Sequence, residues 1–222
     1  MDVETNLETV REKIKQACEK VNRKPEEITI IGVTKYVTIE RTKEAIAAGV
    51  TNLGENRTDE FINKYEAIQN EATWHFIGTL QSRKVKDIID KVDMIHSLDR
   101  LSVAKQINKR SDKPIDCFVQ VNVSGEETKH GLASKDVHSF IKELSNYEKV
   151  RVVGLMTMAP HVDDEEVVRS TFKQLAKLRD EIKNEKLPHA PCEYLSMGMS
   201  NDFEIAIEEG ATHIRIGTSL VG

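Results

Sequence analysis

Apolar positions along the chain follow two alternating rhythms. Over residues 4–22, Leu7, Val10, Ile14, Ala17 and Val21 fall three and four apart and Pro25 follows as a stop, which predicts an amphipathic opening helix. Residues 28–34 (ITIIGVT) form a short β-branched run, and a helical rhythm over 39–48 ends at Gly49. This strand-then-helix pairing recurs as 51–54 with 60–70, 73–77 with 82–90, 94–98 with 100–109, 115–123 with 135–145, 150–157 with 165–183 and 193–196 with 202–209. A last strand spans 213–216. Eight strand candidates alternating with helices predict parallel βαβ units and the arithmetic of a single TIM (β/α)8 barrel with an additional N-terminal helix. An open doubly wound sheet is the competing arrangement. Several strands are apolar on both faces, as barrel strands covered by helices should be, and no Gly/Pro/Ser-rich linker interrupts the chain, so 1–222 reads as one domain.

Charge narrows the partners. With 32 Lys+Arg against 37 Asp+Glu, a net charge of −5, there is no basic footprint for nucleic acid, and an anionic ligand must be held locally. The longest uncharged apolar stretch, 152–160, is far short of the ~20 residues that a membrane-spanning helix needs. The opening MDVETNLETVREK has no signal-peptide core, so a cytoplasmic protein without membrane contact is expected. Cys18, Cys117 and Cys192 are odd in number and lack any CxxC or Cys/His cluster, which predicts buried free thiols and no metal site.

In a TIM barrel the functional residues follow the strands at their C-terminal ends. Lys35 closes the first strand, and period-two alternation sets it in phase with Ile31 and Val33. If those two fill the barrel, Lys35 points into its mouth, where partial desolvation would lower its pKa and free the amine for a carbonyl. Position alone favours the plainer reading, a solvated strand-end lysine. Near the other terminus, Ser196-Met197-Gly198-Met199-Ser200-Asn201-Asp202 opens a helix, and Arg215-Ile216-Gly217-Thr218-Ser219 follows the last strand. These are the loops after strands seven and eight, where backbone N–H groups, the Ser200 and Thr218 hydroxyls and the small Gly217 suit a phosphate. Asp202 argues mildly against an anion unless it only caps the helix. Arg215 cannot release its proton, so beside a pyridine ring it would keep the ring nitrogen unprotonated. Asn56, His75 and Lys129 are secondary candidates near the same mouth. A helix cap, a core histidine and a solvated loop charge are their plainer readings. The methionine pairs 156/158 and 197/199 read as core filling.

The segments Gly32-Val33-Thr34-Lys35, Gly54-Glu55-Asn56, Trp74-His75-Phe76-Ile77-Gly78, Val121-Asn122-Val123-Ser124-Gly125-Glu126, Gly154-Leu155-Met156-Thr157-Met158, Ser196-Met197-Gly198-Met199-Ser200 and Arg215-Ile216-Gly217-Thr218 occur in one order along the chain. With them the chain resembles the pyridoxal 5′-phosphate homeostasis proteins, the YggS/PROSC family. The resemblance implies a barrel like the N-terminal domain of alanine racemase, with pyridoxal 5′-phosphate (PLP) on Lys35 as a Schiff base. It further implies phosphate contacts at Ser200, Gly217 and Thr218 with backbone help around Met199, and Arg215 at the pyridine nitrogen. Asn56 and His75 match pocket positions, and Lys129 matches a loop lysine that could take part in transfer of the aldehyde. Arg83 stands where the pattern leads one to expect Asn, and the sequence stops at Gly222 where many members continue.

The function so implied is a carrier and buffer of PLP in vitamin B6 and amino-acid homeostasis. Its partners would be PLP-dependent apo-enzymes, and it would have no catalytic residue of its own. With no exposed apolar stripe and no second domain to dimerise through, a monomer is expected. A low-activity PLP-dependent racemase is the alternative. Racemisation needs a second base, which alanine racemase takes from a separate domain, and eight strand-helix units leave no room for one. A Schiff-base aldolase acting on a sugar phosphate would use the same lysine and phosphate geometry.

Overall fold

A computed structural model of the protein describes residues 1–222. Its strands are β1 (Thr29–Val33), β2 (Asn52–Glu55), β3 (Thr73–Phe76), β4 (Met94–Leu98), β5 (Ile115–Asn122), β6 (Leu132–Ala133), β7 (Val150–Met156), β8 (Tyr194–Ser196) and β9 (His213–Ile216). All pairings between these strands are parallel. β1 to β5, then β7, β8 and β9, follow one another around a ring that the β1–β9 pairing closes. This is the expected barrel and not the open sheet. Strand β6 is a two-residue addition on β5, missed in the sequence because it is too short to carry a period.

The helices are α1 (Val3–Lys20), α2 (Ile39–Ala47), α3 (Thr58–Ile68), α4 (Val85–Ile88), α5 (Leu101–Arg110), α6 (Val137–Glu143), α7 (Glu165–Asn184), α8 (Phe203–Glu208) and α9 (Thr218–Val221). The opening helix α1 is capped by Asp2, whose carboxylate accepts the Thr5 N–H, and it buries Val3, Leu7, Val10, Ile14, Ala17 and Cys18. It is pinned at its end, where Arg23 donates to the Ile207 carbonyl at 2.7 Å and Lys20 pairs with Glu208, itself paired with Arg169 of α7. No helix is long and apolar enough to cross a membrane. All three cysteines are free and buried, and burial raises their thiol pKa values.

Most of the core lies between barrel and helices, while Phe118, Val153 and Met156 form a separate cluster with Met94 packed against it. Strands and loops approach closely where glycine permits. A Cβ at Gly78 would lie 2.2 Å from the Asn56 carbonyl oxygen and 2.6 Å from its Cα, so β2 and β3 cannot keep their spacing with any side chain there. Gly78→Ala should cost about 1–3 kcal/mol in the urea unfolding midpoint through overpacking, with the slope unchanged.

Candidate functional site at the barrel mouth

Lys35 follows β1 in a turn, exposed, with its Nζ 5.7 Å from the Tyr36 ring centroid. The side chain is exposed in this turn, less enclosed than the strand phase suggests. The turn is instead held from behind. Thr34 is buried, its N–H donates to the Gly54 carbonyl, and its hydroxyl donates to Glu55 Oε1 at 2.5 Å. Lys64 of α3, itself 4% exposed, donates to Glu55 Oε1 at 2.7 Å and to the Thr34 carbonyl. This buried ion pair clamps the residue before Lys35. Tyr36, the residue after it, adopts φ 65°, a left-handed conformation that few non-glycine residues take without surrounding constraint. Burial raises the Glu55 carboxyl above its ordinary value, with the Lys64 and Thr34 hydrogen bonds opposing it.

Arg215 lies opposite in phase logic, on β9, beside Ile31 in the register. It is 4% exposed and fully inside the barrel, donating from one terminal nitrogen to Ser196 Oγ at 2.6 Å and from the other to the Thr157 carbonyl at 3.1 Å. Both partners are neutral, and no carboxylate lies within ion-pair distance. Burial pushes the guanidinium down to about 10, with Asp202 the opposing influence, so it remains a cation at neutral pH. A guanidinium has five N–H donors, so donors remain for a ligand.

The two predicted anion loops meet beside it. Gly198 takes φ 102°, and its carbonyl accepts the Arg215 N–H at 2.9 Å, tying the β8 loop to β9. Asp202 is a cap: its Oδ1 accepts the Met199 N–H at 2.7 Å. That bond engages the Met199 N–H, so backbone help around Met199 would have to come from its neighbours. Ser200 is half-buried in the same turn. After β9, Gly217 leads into the short helix α9, where the sequence suggests only a loop, and Thr218 is exposed at its start. The first N–H groups of α9 have no intrahelical acceptor. A Cβ at Gly217 would meet only Val33, at 3.6 Å, so the space there is open.

The remaining expected residues part company. Asn56 is half-buried with its Oδ1 unpartnered. His75 is buried in the barrel, Nε2 2.9 Å from Asn52 Oδ1 and Nδ1 2.8 Å from His96 Nε2, so both ring nitrogens are engaged within the protein. Lys129 stands in the loop after β5, ion-paired with Glu126 at 2.7 Å, and no bond joins it to Lys35 or Arg215.

Sequence reasoning missed His96, His213 and Ser196, which fill the barrel with His75 and Phe118; the His96 ring stacks on Phe118 at 4.3 Å between centroids. Their signal was the alternation of polar residues at 94–98 and 213–216, which reads equally as an exposed face. Burial lowers His75 to about 3 and His213 to about 4, and holds His96 well below 6.5. The unfolded chain protonates these rings near 6.5 while the folded one keeps them neutral, so stability is complete above 6.5 and is lost as pH falls below it. Unfolding free energies from urea titrations between pH 7 and 5 should therefore fall by about 1 kcal/mol per pH unit for each buried histidine, and His96→Gln should remove one share.

Comparisons with known proteins decide the family. Residues 5–222 match the family described as "Alanine racemase, N-terminal domain". A pyridoxal phosphate homeostasis protein of Aquifex aeolicus is 44% identical over 97% of this chain and 96% of its own length. The chain belongs to the pyridoxal phosphate homeostasis protein family. Among solved structures, PipY of Synechococcus elongatus PCC7942 with PLP bound has a TM-score of 0.83 at 30% identity, covering 95% of this chain and 100% of that one. The alanine racemase of Clostridium difficile 630 has a TM-score of 0.76 at 20% identity. It covers 99% of this chain but 56% of its own, a likeness of fold.

Proposed function

We propose that the chain is a PLP carrier. It holds the cofactor at the barrel mouth through a reversible Schiff base to Lys35 and buffers or delivers it to PLP-dependent apo-enzymes in intracellular vitamin B6 and amino-acid homeostasis. We read residues 1–222 as one domain acting as a cytoplasmic monomer. The observation that carries the reading is Arg215: a buried guanidinium with only neutral partners and unused donors, set at the ends of the strands. A buried charge left uncompensated is costly and marks a ligand site.

The residues present fit PLP. Bound PLP supplies an aldehyde and a ring able to withdraw electrons. Lys35 offers an exposed primary amine that would hold the aldehyde through a link that water or an incoming amine could reverse. Arg215 is a donor only, so it pairs with an unprotonated ring nitrogen and weakens the electron sink that turnover would need. The Ser200 and Thr218 hydroxyls and the first N–H groups of α9 suit the phosphate, with Gly217 leaving the space for it. The unpartnered Asn56 Oδ1 is a further contact, and Lys129 is the candidate transfer lysine.

The test is to load the purified protein with PLP, add an apo-enzyme that depends on PLP, and follow recovery of its activity. Parallel samples receive single-enantiomer amino acids. Recovery without any mirror-image amino acid is the expected result. Sustained formation of the mirror form would move the reading to a low-activity racemase.

A further inference from the structure

The polar chain inside the barrel starts at Arg215 and runs away from the mouth. Arg215 donates to Ser196 Oγ at 2.6 Å, Ser196 Oγ lies 2.8 Å from His96 Nδ1, His96 Nε2 lies 2.8 Å from His75 Nδ1, and His75 Nε2 lies 2.9 Å from Asn52 Oδ1. Asn52 is the first residue of β2 and borders a cavity of about 680 Å³ beneath α1, at the other end of the barrel from Lys35. Ser196, His96 and His75 are buried.

Proton positions follow from chemistry. A guanidinium only donates, so Ser196 Oγ accepts from Arg215 and its own hydrogen is free to go to His96 Nδ1. A neutral His96 then carries its proton on Nε2 and donates to His75 Nδ1. A neutral His75 likewise carries its proton on Nε2 and donates to Asn52 Oδ1. The reverse order leaves the Ser196 hydrogen without an acceptor and needs Asn52 to turn its amide over. The first direction is the one that leaves no hydrogen of the chain without an acceptor.

We infer that Ser196, His96 and His75 are positioning residues that aim Arg215 at its ligand without neutralising it. The inference rests on the PLP reading, which supplies the ligand. A carboxylate in the place of Ser196 would hold Arg215 as firmly, but it would cancel the charge and compete for the donors. The groups around His96 include no acid: His75 from β3, the stacked Phe118 ring from β5, Ser196 from β8, and His213 and Arg215 from β9. Burial keeps both histidines neutral, so Arg215 stays the sole charge in this chain of bonds.

His96→Leu keeps the volume but cuts the chain, and Ser196→Ala cuts it one step nearer Arg215. Either should weaken PLP binding about tenfold, the value of one hydrogen bond to a charged group, and shift the balance of the bound chromophore's absorbance bands as its ring nitrogen loses its partner. His96→Gln can accept through Oε1 and donate through Nε2, so it should restore both within about threefold. In the PLP-free protein, histidine ¹⁵N shifts should report His75 and His96 as neutral Nε2–H tautomers at pH 7. The inference is overturned if folded His96→Leu and Ser196→Ala proteins bind PLP with unchanged affinity and spectrum, or if His96 carries its proton on Nδ1. Failure of the wild-type protein to bind PLP would instead remove the carrier reading, and the tautomers would still decide the direction of the chain.

Discussion

Lys35→Ala should abolish the absorbance band of PLP-loaded protein and leave the cofactor freely exchangeable, while the thermal midpoint of the PLP-free protein stays within about a degree of wild type. The separation follows from where Lys35 sits. Its side chain is exposed beside the Tyr36 ring and takes no part in the buried core, so removing it costs stability no more than an ordinary surface change does. On the proposed reading the band depends on a covalent link through one amine, Lys35, which follows β1 in an exposed turn. Absorbance spectra of the two proteins after loading and gel filtration, alongside calorimetric scans, check both halves. A variant that kept the band would place the link on another amine.

The second large effect concerns the support beneath that lysine. Glu55 and Lys64 are both buried, Oε1 of Glu55 accepts from Lys64 and Thr34, and Oε2 has no partner. Removing one member of such a pair leaves the other charge buried and alone, which costs about 3–5 kcal/mol. Lys64→Met should therefore lower the unfolding free energy by about that amount, whereas Glu55→Leu combined with Lys64→Met should recover most of it. The pH dependence identifies the cause. Burial already raises the folded-state pKa of Glu55 above 4.5, and loss of Lys64 removes the largest influence that lowers it. A raised folded pKa means stability that is present below the unfolded value of 4.5 and is lost as pH rises through the folded one. The deficit of Lys64→Met should accordingly be wider at pH 8 than at pH 5, read from urea titrations. The same variant should loosen the Thr34–Tyr36 turn and slow capture of PLP by Lys35.

The barrel was legible because each strand-helix unit repeats two contrasting periods, and the phase that lines Lys35 up with Ile31 and Val33 can be read from five residues. Arg215 and Gly217 were legible as a pair for the same reason. What was not legible depends on register between strands distant in sequence. The bonds from His75 to His96 and from His96 to Ser196 span 21 and 100 residues, and nothing local distinguishes a histidine buried in the barrel from one facing solvent. His75 was expected as a pocket or core residue, and its bonds to Asn52 and His96 were not foreseen. Lys64 looks like a surface residue of an amphipathic helix until α3 is laid on β2, where its ammonium reaches Glu55. Enclosure of Lys35 was expected from its phase alone, but the residue is exposed in the turn that follows Thr34. Met199 illustrates a smaller limit: a backbone N–H that looks free in the sequence is taken by Asp202 three residues later.

The central claim is that one amine, Lys35, holds the cofactor. Borohydride reduction of PLP-loaded wild-type protein, followed by proteolysis and mass spectrometry, tests it most directly. A single pyridoxyl addition is expected, on the peptide containing Lys35. An addition on Lys64, Lys129 or any other lysine in its place, or an unmodified chain after reduction, would contradict it.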